Sequence, residues 1–183
     1  EKADAARAAG DWKVVLAFEG RLEELMEGQP DTGCNAVLCA FIQAHGGMAL
    51  AEVDFLENRV SAFRLVERRI NLLGRMQRFR DQGEAMCDLA GNLHVNDRHH
   101  ESAKQFERAR DVGAAHGLFS VECAACKGLG VLAMEEGQTE EGMALLQNAL
   151  VASRLCHGED TNHEPAILWL LIDALLKTHA LDE

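Results

Sequence analysis

Tyrosine is absent from this 183-residue chain, and proline occurs twice, at Pro30 and Pro165. Scarce proline leaves long stretches free to run as helix, because each proline removes a backbone donor and breaks the ladder. Basic residues are the minority, 18 Lys and Arg against 30 Asp and Glu, for a formal net charge of −12. A surface of that sign repels nucleic acid and anionic lipid and attracts basic peptides. Neither nucleic acid nor membrane insertion is therefore expected. No apolar run reaches the roughly 20 residues that span a bilayer; the longest, AILWLLI at 166–172, stops at Asp173. The chain opens EKADAARAAG, with no secretory pattern and no Met, which raises the expectation of a fragment of a longer chain or a processed form.

What is present points to one helical domain over residues 1–183. The composition is 48% hydrophobic, and its many Ala and Leu residues lose little on entering a helix. Six cysteines (Cys34, Cys39, Cys87, Cys123, Cys126, Cys156) sit among Ala and Leu at helical spacing. That is the pattern of buried free thiols in a reducing compartment, cytoplasmic or otherwise intracellular. Charge is unevenly spread. Residues 59–80 hold seven Arg against one acid, Glu67.

The sets of residues that chemistry requires are incomplete. SVECAACKGLGVLAMEEG (120–137) contains one Cys-x-x-Cys and no second pair to complete a structural zinc site. Ser120 as a helix cap would favour a lowered thiol pKa at Cys123, yet no βαβ pattern surrounds it. The plainer reading packs Cys123 and Cys126 into a core. Gly128-Leu129-Gly130 lacks the preceding strand and the following Lys-Ser/Thr of a phosphate loop. His94, His99 and His100 cluster near one inter-helix turn, where a surface metal is conceivable and a solvated turn is the simpler account. No Ser/His/Asp set and no pocketed pair of carboxylates is found. No catalytic residues, no metal and no cofactor are expected.

Repetition carries more information. LAGNLHVNDRHHESAKQFERA (89–109) aligns without a gap on LGVLAMEEGQTEEGMALLQNA (129–149), an offset of 40 residues. Leu89 falls on Leu129, Ala90 on Gly130, Ser102 on Gly142, Phe106 on Leu146 and Ala109 on Ala149; upstream, Met86 falls on Cys126. Ala62 and Val66 extend the series, and Arg69 departs from it where Ala is wanted. Helices are expected at about 11–28, 32–45, 53–73, 77–95, 98–116, 119–135, 139–157 and 164–179. Thr139, and Asn96 or Asp97, are the expected N-caps, with Gly117 and Gly158 as C-terminal stops.

These slots resemble the tetratricopeptide repeat (TPR) in its long, roughly 40-residue variety, as in kinesin light chains and Leu-Gly-Asn-type adaptors. The best matches are 77–117 and 118–158. The resemblance implies an all-α, TPR-like α-solenoid of antiparallel helix pairs, with about three to four repeats in a right-handed superhelix. It implies a non-catalytic module that binds a protein, a peptide or a partner helix on its concave face. By the family's pattern that face holds Cys87, Gly91, His94, Lys127, Val131 and Met134. Arg64 and Arg68, four apart on one helix, are candidates to dock an acidic tail or phosphopeptide; the plainer account pairs them with the acidic surface of a neighbouring helix or subunit. The alternatives are a structural subunit or scaffold segment of a larger assembly, and a thiol-based redox sensor using Cys123 and Cys126.

Overall fold

In a computed structural model of the chain, residues 56–156 and 163–179 are described, the side chains of 56–62, 64, 65 and 177–179 excepted. Among the described residues there are six helices and no strand: α1 Leu56–Arg75, α2 Phe79–His94, α3 His99–His116, α4 Phe119–Glu135, α5 Thr139–Leu155 and α6 Glu164–His179. The expected all-α class is observed, and five of the expected helices lie within two residues of their anticipated ends. The helices expected at 11–28 and 32–45 fall outside the described residues. The chain forms two compact units, Glu1–Arg78 and Phe79–Glu183.

In the first unit α1 buries Phe63, Val66, Ile70 and Leu73. Their spacing of three, four and three is the apolar stripe of an amphipathic helix. Arg69 is half-buried beside that stripe, and its Nε is buried with no hydrogen-bond partner. The departure seen in the sequence is thus a real change of environment. The alanines forty and eighty positions later, Ala109 and Ala149, are both 0% exposed.

In the second unit each helix packs on its neighbours in the chain, and α4 also touches α2 and α6. Aligned residues occupy like environments. Leu89 and Leu129 are buried, as are Ala90 and Gly130, Met86 and Cys126, Phe106 and Leu146. Small residues mark where paired helices cross. Ser102 Oγ donates to the Ala90 carbonyl at 2.8 Å, tying α3 to α2. Forty residues on, a Cβ on Gly142 would lie 3.0 Å from the Gly130 carbonyl and 2.7 Å from Met134 Cγ. Glycine is therefore required where α5 crosses α4, and the looser crossing before it admits a serine that hydrogen-bonds. Cys123, Cys126, Leu146, Ala149, Ala152 and Ile167 form one core cluster across α4, α5 and α6. Complete burial of a side chain such as Leu146 contributes about 2 kcal/mol.

The turns repeat at half the interval of the side chains. Gln77, Asp97, Gly117 and Gly137 all have positive φ, between 56° and 78°, and stand twenty residues apart. After each, the next backbone N–H reaches back to a carbonyl five residues earlier: Arg78 to Leu73, Arg98 to Leu93, Leu118 to Gly113 and Gln138 to Ala133. This left-handed closure satisfies carbonyls that the helix end leaves open. Gly117 is a C-terminal stop, as expected, while Gly158 lies outside the described residues.

The expected N-caps are corrected. Arg98, Leu118 and Gln138 hold the cap positions of α3, α4 and α5, with no side-chain cap bond at any of them. Thr139 is the first residue of α5, Asp97 is the left-handed turn residue, and Ser120 lies inside α4, where it accepts a hydrogen bond from Arg80. These turns are only two to four residues long, so the cap of one helix and the cap of the next stand beside or within a few residues of each other. Backbone geometry, rather than a capping side chain, punctuates them.

Candidate functional site

Cys87, Gly91 and His94 lie on α2, and Lys127, Val131 and Met134 occupy the positions forty residues later on α4. All six are half-buried. Because α2 and α4 pack together, the expected row belongs to two adjoining helices of one unit. Lys127 is close enough to Cys87 and to Cys123 to act on both thiols electrostatically. Gly91 opens onto free space, with no atom within 4 Å of where a Cβ would stand.

The row leads into a pocket of about 270 Å³ formed where α4, α5 and α6 meet. Val131, Met134 and Glu135 line it from α4, Leu146 from α5, and Leu170 and Asp173 from α6. Two of these, Val131 and Met134, belong to the expected row. Leu170 and Asp173 were missed, because repeat alignment says nothing about a helix that lies beyond the last aligned pair.

His94 and Glu135, the last residues of α2 and α4, meet at 2.6 Å through Nε2 and Oε2. The His99 ring stands 5.3 Å from that of His94, nearly edge-on at 63°. The histidine cluster read from the sequence is thereby redrawn. The ligand atoms of His94, His99 and Glu135 lie within 4.8 Å of one another, and His100 is not among them. Glu135, which no sequence motif singles out, is brought to His94 by the packing of α2 on α4.

Among the described residues no disulfide joins the cysteines, and Cys123 and Cys126 are buried on successive turns of α4. Burial pushes the Cys87 thiol up to about 12 and the Cys123 thiol up to about 11, against a smaller opposing pull from Lys127. The Cys126 thiol is raised for the same reason. Reactive cysteines need the opposite, a stabilised and accessible thiolate.

Arg68 is half-buried on α1, and the side chain of Arg64 lies outside the described residues. Both belong to the other compact unit. Among the described residues no helix is long and apolar enough to cross a membrane. Neither the known protein families nor the curated proteins include a match to this chain.

Proposed function

We propose that this chain is a TPR-like helical-repeat module that binds a peptide or partner helix. Cys87, Gly91, His94, Lys127, Val131 and Met134 are its contact row. The observation that carries the reading is the matched placement of this row: equivalent residues on two adjoining helices, all partly accessible, running into a pocket. The twenty-residue interval of the turns is what stacking one helical hairpin on the next would give, and the resemblance implies that such a solenoid is right-handed. The raised thiols of Cys87 and Cys123 argue against the redox-sensor alternative. Arg64 and Arg68 would serve an acidic or phosphorylated stretch of the same partner through their planar forks.

A photo-crosslinking residue at Gly91 tests this, because the open space there accepts a side chain. The same residue at the exposed Ala115 on α3 is the control. Adducts with one protein or peptide at Gly91 and none at Ala115 are expected. Equal capture at both positions, or none at Gly91, defeats the proposal. A double charge reversal at Arg64 and Arg68 should then weaken binding of that captured partner in a calorimetric titration without unfolding the chain. Unchanged affinity removes the Arg contact alone.

A second reading, a structural segment of a larger assembly, is favoured by α6. Trp169, Ile172 and Leu176 share one face of it at 70%, 56% and 65% exposure. A helix apolar on nearly all sides is built to be covered on more than one. Sedimentation separates the two readings. A monodisperse monomer favours the module, whereas self-association abolished by Trp169→Glu favours the assembly.

A further inference from the structure

We infer that His94, His99 and Glu135 form a binding site for a divalent transition-metal ion of the zinc type. The ion would clamp the ends of three successive helices. The inference stands on side-chain geometry and does not depend on the peptide-binding reading.

Each residue offers one ligand atom, and the three atoms already lie within 4.8 Å of one another. Among the described residues this is the one group of His, Cys, Asp or Glu that converges so closely. A tetrahedral ion with bonds of about 2.0–2.2 Å holds its ligands roughly 3.5 Å apart. His94 Nε2 and Glu135 Oε2, now 2.6 Å apart, would open slightly. The His99 ring would swing inward. These are surface adjustments, since the side chains of His94, Glu135 and His99 are 26%, 49% and 43% exposed. The ion would take the place of the proton now shared by His94 Nε2 and Glu135 Oε2, with the ring N–H carried on Nδ1 so that a neutral imidazole ligates through Nε2. Asp97 Oδ1, 4.0 Å from His99 Nε2, offers a further oxygen for a fourth position that water can otherwise fill.

Two features select the class of ion. Two imidazoles with one carboxylate suit zinc, cobalt or nickel, and offer too few oxygens for calcium or magnesium. Second, His94 and Glu135 are the C-terminal residues of their helices. The partial negative charge at helix C-termini favours a cation there. His99 opens α3 just across the turn. A bound ion would therefore tie the α2–α3 turn to the end of the next helix, a link that the backbone does not provide.

Titration of the full chain with Co²⁺, followed by visible absorption, tests the site. The expected result is one equivalent bound, with ligand-field bands and no thiolate-to-cobalt charge-transfer band. Zn²⁺ should displace the cobalt and raise Tm. His99→Ala and Glu135→Gln, both at partly exposed positions that the fold does not need, should each weaken binding by more than about tenfold. His100→Ala should bind like the unaltered chain. Absence of binding, a charge-transfer band that places the ion on cysteine, full binding by His99→Ala, or loss of binding in His100→Ala would each overturn the assignment. Circular dichroism of every variant separates loss of the site from loss of the fold.

Discussion

Helices α2 to α5 and helix α6 differ in how completely they are covered, although α6 shares a core with α4 and α5. In the first four, each turn is closed by a left-handed residue, the turns stand twenty residues apart, and small residues mark the crossings. Between α5 and α6, the position twenty residues after Gly137 lies outside the described residues. The two helices are bridged by Arg154, whose Nε and Nη2 both reach Glu164 Oε1, at 3.0 and 2.9 Å. Helix α6 buries Ile167 and Ala174 while leaving Leu168, Trp169, Ile172, Leu175 and Leu176 exposed. The difference shows what repetition supplies. Where backbone turn and crossing recur together, most large apolar side chains are at least half-buried, with Phe119, Val151 and Leu155 the exposed ones; beyond the last aligned pair, one face of α6 is left uncovered.

The sharpest way to break this contrast is a pair of truncations. Leu146→Ala, at a fully buried position shared by α4, α5 and α6, should cost about 3 kcal/mol. Ile172→Ala, on the exposed face of α6, should change stability by no more than about 0.5 kcal/mol. Chemical denaturation of both variants measures the gap, and equal losses would mean that α6 packs as the inner helices do.

Next in size is Gly128→Ala. Its new methyl group would be driven into the Phe106 ring, and Phe106 is itself buried. A loss of about 1–3 kcal/mol is expected. A neutral result would show that α3 can withdraw from α4 without penalty. Gly137→Ala tests the turn by itself. With φ at 78° and open space around the Cα, it should cost about 1 kcal/mol from backbone strain alone.

The smallest effect is a pH dependence confined to the α5–α6 side. Burial, with Lys127 nearby, holds His163 below the usual histidine range. As pH falls through about 6.5 the unfolded chain takes up this proton before the folded one does. Stability from this residue is therefore present above that pH and lost below it, until the folded-state pKa is passed. Tm should fall less between about pH 7.5 and about pH 5.5 in His163→Gln than in the unaltered chain. Identical slopes would remove His163 as a contributor.

The helices were legible because few prolines interrupt them and their apolar spacing is regular. The forty-residue interval was legible through Leu89, Phe106, Ala109 and their counterparts, whose size is set by packing. The twenty-residue interval of the turns was not. Its four positions are filled by Gln77, Asp97, Gly117 and Gly137, so only half carry the glycine that betrays a left-handed backbone. Caps were misplaced for a related reason, since a carbonyl closing onto the turn leaves no trace in residue type. Of the candidate site, the half-buried row was readable as repeat positions. The approach of Glu135 to His94 was not, because it arises from two helices separated by an entire intervening one.

The even placement of the left-handed residues has a consequence for length. Segments bounded by equivalent points on such a chain leave and rejoin it in the same direction. Excising or doubling one forty-residue block between them would preserve the path on either side, provided the side chains at the new junction match. The length of the helical unit could thus be altered by copying a block of gene sequence, with no need to invent a new joint.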